Sequence, residues 1–97
     1  MEELKIGFIG CGGISYKHLR EMKEIKGIKL EGVFDPKREN AEKFISEAGK
    51  GKIFGSQEEL IKNIDAVIIC SPHTFHFSQI KFAFENGVDV LVEKPPV

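Results

Sequence analysis

A short apolar strand that runs into three closely spaced glycines, and then into a helix, is compatible with few folds. Residues 5–15 spell that order: Lys-Ile-Gly-Phe-Ile-Gly-Cys-Gly-Gly-Ile-Ser. Gly10 permits a tight turn at the end of the strand. Gly12 lets the backbone approach a bound group without a Cβ in between. The helix expected from about Gly13 offers unpaired N–H groups and the positive end of its dipole. A glycine triplet alone constrains little. Placed between a strand and a helix, with the acid Asp35 at the end of the next apolar run, it predicts a turn that holds a pyrophosphate.

The rest of the chain alternates strand and helix. Residues 5–9 form the first strand. Helical spacing runs over 14–25, with Ile14, His18, Met22 and Ile25 on one side, and Gly27 ends it. Residues 29–34 are the second strand. Asp35 and Pro36 then suit the cap and first turn of a helix that runs to about Ala48, closed by Gly49 and Gly51. Residues 52–54 make a short third strand. Ser56-Gln57-Glu58-Glu59 is a capping box that announces a helix to Lys62. Residues 66–70 are continuously apolar, as a central parallel strand covered on both faces should be. A helix over 74–85, stopped by Asn86-Gly87, leads to a fifth strand over 88–92. This alternation means βαβ units. Right-handed crossovers then give a doubly wound parallel sheet of order 3-2-1-4-5, the Rossmann architecture.

At 97 residues the chain holds one small domain. The 14 basic and 15 acidic residues leave a formal charge of −1, so nothing directs it to nucleic acid. No apolar run approaches the ~20 residues that span a bilayer. The opening Met1-Glu2-Glu3-Leu4-Lys5 lacks the pattern of a signal peptide. A cytoplasmic location is the expectation. Cys11 and Cys70 fit no zinc spacing. They read as two small apolar side chains at the ends of neighbouring strands. A bridge between them is conceivable there but is not expected in a reducing cytosol.

Asp35 admits two roles that do not exclude each other. One is a carboxylate on the ribose hydroxyls of an adenosine, although its distance from Gly10 is slightly above the usual ~20 residues. The other is a helix cap ahead of Pro36. Its charge repels a 2′-phosphate and favours NAD; Lys37 and Arg38 offset that repulsion and keep NADP open. The segment Cys70-Ser71-Pro72-His73-Thr74-Phe75-His76 follows the central strand and sits at the carboxyl edge of the sheet, where ligands bind. His76 can face the crevice there, and no metal is expected from the two histidines. His18 reads as a packed helix residue. Glu93-Lys94-Pro95-Pro96 follows the last strand. Lys94 at that edge suits a substrate oxygen or the nicotinamide ribose, and equally suits a solvated strand end.

Several of these pieces occur together in one family. Ile9-Gly10-Cys11-Gly12-Gly13-Ile14 with His18-Leu19, then Val33-Phe34-Asp35, Ser71-Pro72 with His76, and Glu93-Lys94-Pro95 resemble the N-terminal domain of the glucose-fructose oxidoreductase / inositol dehydrogenase / MocA family. The resemblance covers nearly the whole chain. It implies an NAD(P)-binding domain of an oxidoreductase that moves hydride between nicotinamide and a hydroxyl-bearing carbon of a sugar or cyclitol. It implies that Gly10, Gly12, Gly13 and Ile14 approach the pyrophosphate and that Asp35 takes the adenosine ribose. Ser71, Pro72 and His76 flank the cofactor; Glu93, Lys94 and Pro95 lie near the nicotinamide, with Lys94 reaching the substrate. The third glycine position holds Ser15. The family's second, substrate-binding domain is expected to be missing, because the chain stops at Val97. Little activity is then expected from this chain alone. Two arrangements follow: pairing with a separate substrate domain, or self-association through the strand edge at 88–92. Phe77, Ile80 and Phe84 would face the sheet, with Phe75 and Phe82 left exposed. A non-catalytic dinucleotide-sensing or protein-interaction module is the alternative function.

Overall fold

The computed structural model describes residues 3–70, 81–83 and 85–92. Strands β1 (Leu4–Ile9), β2 (Ile28–Phe34), β3 (Lys52–Ile53), β4 (Ala66–Ile69) and β5 (Asp89–Val92) alternate with helices α1 (Gly13–Met22), α2 (Arg38–Ala48) and α3 (Gln57–Ile61). All strand pairs are parallel, and the order across the sheet is β3-β2-β1-β4-β5. The sheet order read from the alternation is the order found.

Both faces of the sheet are covered, which is why its strands are apolar on both sides. On one face α1 and α2 bring Leu19, Met22, Ala41 and Phe44 onto Ile6, Phe8, Leu30 and Val33. On the other, Leu60 and Ile61 of α3 join Ile64, Ala83 and Val88 over Ile9, Val67 and Ile69. Leu30 and Val33 share a face although they are three residues apart. The register slips between Ile6 and Gly7 of β1, which pair with Leu30 and Gly32, so Glu31 is an extra residue in β2. That bulge restores the inward direction of Val33.

Several boundaries differ from the sequence reading. Helix α1 ends at Met22, three residues before Ile25, because the chain tightens into i→i−3 bonds: Glu24 N–H to Glu21 O and Ile25 N–H to Met22 O. Ile25 is left 55% exposed, so it does not belong to the packed side. The buried stripe is Ser15, Leu19 and Met22, one residue round from the predicted Ile14, His18 and Met22. Helix α2 begins at Arg38 rather than at Asp35-Pro36, and Lys37 is its N-cap. It stops as expected at Gly49, which takes the left-handed conformation at φ 76°. Ser56 does cap α3: its Oγ accepts the Glu59 N–H at 3.2 Å.

Phe82 was expected to be exposed. It packs half-buried against the second cluster, and Ala83 beside it is fully buried. Residues 81–83 and 85 are helical, within the predicted 74–85 span. Phe75, Phe77, Ile80 and Phe84 lie outside the described residues. Among the described residues no helix is long and apolar enough to cross a membrane.

Candidate functional site

The site is built where β1 ends, between β2 and β4. The Gly10 N–H donates to Phe34 O at 2.8 Å, and the Cys70 N–H donates to Ile9 O at 2.7 Å. The turn therefore leaves the sheet gripped from both neighbouring strands. Gly10 adopts φ 92°, a conformation L side chains rarely take, so a glycine is needed there by the backbone itself.

Gly12 is the N-cap of α1, at φ −80° and ψ −170°, and no side chain caps the helix. Ser15 is fully buried, and both its N–H and its hydroxyl donate to Gly12 O. A small residue is what the tight packing of helix on strand requires. Serine meets that need at the third glycine position and satisfies its own hydroxyl internally.

The three helix N-termini differ in charge. The first turn of α1 contains no acid. Helix α2 carries Glu39 there, and α3 carries Glu58 and Glu59 besides its serine cap. Among these three helices, only α1 has a positive dipole end without an acid in its first turn.

Gly12 and Gly13 have no conformational need to be glycine, since neither has a positive φ. A Cβ built on either meets nothing within 4 Å among the described residues. Elsewhere the fold does demand the missing side chain. A Cβ on Gly7 would lie 2.8 Å from Ile64 Cδ1, and one on Gly32 would lie 2.3 Å from Phe54 Cε2. Gly12 and Gly13 are exposed, and a methyl group on either would project into the open space beside a helix end suited to an anion. The residues present fit a dinucleotide's pyrophosphate.

Asp35 is half-buried at the end of β2. Its Oδ2 accepts the Cys11 N–H and its Oδ1 accepts the Lys37 N–H, both at 2.8 Å. The second bond is a local turn, not a helix cap, because α2 starts beyond it. The capping role read from Asp35-Pro36 is thereby replaced. Each carboxylate oxygen retains a further lone-pair direction, so ribose hydroxyls can still be accepted.

Cys11 is buried, and its thiol is pushed up to about 12, by burial first, then by the Asp35 charge and by Cys70. It stays protonated at neutral pH and is a packing group, not a nucleophile. Cys11 and Cys70 both pack into the α1/α2 face of the sheet, Cys11 buried and Cys70 partly buried. Tyr16 stacks at a tilt on Phe44, 5.2 Å between centroids. Its hydroxyl pKa is raised, chiefly by burial and further by Cys11 and Glu47.

The structure thus brings together Gly10, Gly12, Gly13, the backbone of Ile14 and Asp35. The other predicted site residues, Ser71, Pro72, His76, Glu93, Lys94 and Pro95, lie outside the described residues. The sequence reading missed the Cys11 N–H as a partner of Asp35. No spacing signals it, because any residue type supplies that N–H.

The chain was compared with known proteins. Residues 4–97 match the family model GFO_IDH_MocA, described as an oxidoreductase family with an NAD-binding Rossmann fold. Glucose-6-phosphate 3-dehydrogenase of Bacillus subtilis is 40% identical over 91 residues, which are 94% of this chain and 26% of that protein. Inositol 2-dehydrogenase of Cereibacter sphaeroides is 37% identical over 94 residues, 95% of this chain and 28% of that one. A crystal structure of scyllo-inositol dehydrogenase from Lactobacillus casei, with bound NAD(H) and scyllo-inositol, superposes with a TM-score of 0.86 at 30% identity. That match covers 97% of this chain and 28% of that structure's chain. The chain thus spans little more than a quarter of the length of these relatives.

Proposed function

The chain belongs to the GFO_IDH_MocA oxidoreductase family, as its NAD-binding Rossmann domain, and on that premise we propose how it holds NAD and what reaction it serves. Gly10, Gly12, Gly13 and Ile14 present backbone N–H groups to the pyrophosphate. Asp35 takes the adenosine ribose and disfavours a 2′-phosphate, so NAD binds better than NADP, with Lys37 and Arg38 narrowing the gap. From the sequence, Ser71, Pro72 and His76 line the crevice on the β4 side. Glu93, Lys94 and Pro95 border the nicotinamide, and Lys94 hydrogen-bonds the oxygen of the carbon that gains or loses hydride.

The bound nicotinamide supplies the hydride chemistry. The protein's part is to fix the cofactor and polarise that oxygen. The substrate class we infer is a sugar or cyclitol bearing a hydroxyl, as the names of the relatives suggest. Substrate recognition then needs residues beyond this domain, from a substrate domain or from a second copy paired through β5. That strand has only β4 as a neighbour among the described residues, which supports an edge open to pairing. We place the protein in the cytoplasm, whose reducing conditions suit a chain with only two cysteines.

One observation carries the cofactor site: Gly12 and Gly13 leave open space that no described residue fills. Thermal unfolding with added NAD tests it. A ligand at ten times its Kd stabilises by about 1.4 kcal/mol, which in a domain this size raises Tm by several degrees. An unchanged Tm at millimolar NAD contradicts the site. Adding a family substrate domain in trans, with NAD and candidate sugars, tests the enzyme reading: hydride transfer supports it, and silence despite NAD binding favours a sensing or interaction module.

A further inference from the structure

Asp35 bonds to the phosphate-binding turn itself, across 24 residues of sequence. The turn between β1 and α1 has two N–H groups before the cap, those of Gly10 and Cys11. The end of β2 accepts both: Phe34 O takes the first and Asp35 Oδ2 the second, each at 2.8 Å. Asp35 is itself held in place, since Oδ1 accepts the Lys37 N–H two residues on. Cys11 is pinned from its other side as well, with its side chain buried in the core cluster that includes Phe8 and Leu19. Beyond Cys11 lies Gly12, whose only held group among these bonds is its carbonyl, on Ser15.

We propose that Asp35 is a positioning residue that clamps the phosphate-binding turn, so that one carboxylate sets affinity for the pyrophosphate as well as for the ribose. This rests on the reading of the turn as the pyrophosphate site. The physical reason is preorganisation. A glycine-rich turn has large conformational freedom, and ordering it on binding weakens the complex. A charge-assisted hydrogen bond from a fixed strand end holds the turn ready. Considered as charge alone, Asp35 should instead repel the phosphates. The clamp and the charge therefore predict opposite signs.

Inorganic pyrophosphate is the discriminating probe, because it carries no ribose. The chain is titrated with pyrophosphate and, separately, with NAD, following the backbone amides of Gly12, Gly13 and Ile14 by NMR. Asp35→Glu keeps the charge but moves the carboxylate one methylene further out, so that it no longer reaches both N–H groups. The expected result is pyrophosphate binding weakened by about tenfold, together with faster hydrogen exchange at the Cys11 amide. Unchanged pyrophosphate binding with weakened NAD binding overturns the clamp and leaves the cofactor reading standing. Wild-type chain that binds neither probe overturns both. Should Asp35→Glu fail to fold, Asp35→Asn decides by sign. Its single amide oxygen can accept only one of the two N–H groups, and the amide NH2 then faces the other as a second donor. Weaker pyrophosphate binding supports the clamp; tighter binding, from the lost charge alone, overturns it.

Discussion

Replacing Gly12 with alanine should remove the cofactor and leave the fold intact. The backbone there, at φ −80° and ψ −170°, is open to any residue. Among the described residues a Cβ would meet nothing within 4 Å. Two small effects oppose each other: alanine is the poorer N-cap, and it lowers the entropy of the unfolded chain by about 0.4–1 kcal/mol. Stability should stay within about 0.5 kcal/mol, so Tm moves by no more than roughly 4 °C. Binding behaves differently. A methyl group in that open space holds the pyrophosphate off the helix amides. Losing one or two charge-assisted hydrogen bonds, at about 1.5–3 kcal/mol each, weakens NAD by at least roughly tenfold. The matched control is Gly32→Ala, whose Cβ would lie 2.3 Å from Phe54 Cε2 and 2.7 Å from the Lys52 carbonyl oxygen. Backbone cannot step aside as a side-chain tip can, so this variant should lose about 1–3 kcal/mol or more. Circular dichroism melts and isothermal titration with NAD read the two quantities separately. The reasoning is refuted if Gly12→Ala melts far below wild type, or if it binds NAD unchanged.

Phe44→Ala should cost about 3–5 kcal/mol in urea unfolding, because the ring is fully buried and meets Phe8 at 4.8 Å and Tyr16 at 5.2 Å. In a domain this small that is a large share of total stability. Cys11 binds its proton more tightly folded, with its pKa raised from 9.0 to about 12. Above pH 9 the unfolded chain releases a proton the folded one keeps. Stability should therefore fall by about 1.4 kcal/mol per pH unit from pH 9 toward 12, and Cys11→Ala should flatten that slope. Alkylation in the folded state should reach Cys70 well before Cys11, which peptide mass mapping can order. NADP should bind a few-fold to tenfold more weakly than NAD, from one added phosphate near Asp35, and Asp35→Ser should narrow the ratio. Light scattering should show concentration-dependent association through β5; a clean monomer at high concentration counts against the open edge.

The sequence by itself determined the sheet order and the place of the glycine turn after β1. Both follow from short-range features: apolar runs, glycine punctuation, a serine cap and the spacing of crossovers. Those features act within one turn of helix or one strand, so they are visible in a single chain of letters. The ends of α1 and α2 were not. Met22 is a boundary because the chain beyond it tightens into i→i−3 bonds, and Arg38 because the Asp35 carboxylate closes a local turn on the Lys37 N–H. Phe82 likewise looked exposed from helical spacing, yet the second cluster covers it. What only the tertiary structure decided is which glycines the packing requires and which it leaves open. Gly7 and Gly32 are small because neighbours from distant segments press on them; Gly12 and Gly13 are small although nothing in the described chain does. The bond from Cys11 to Asp35 belongs to the same class. It joins a backbone N–H to a side chain across 24 residues, and sequence carries no mark of where a backbone amide points.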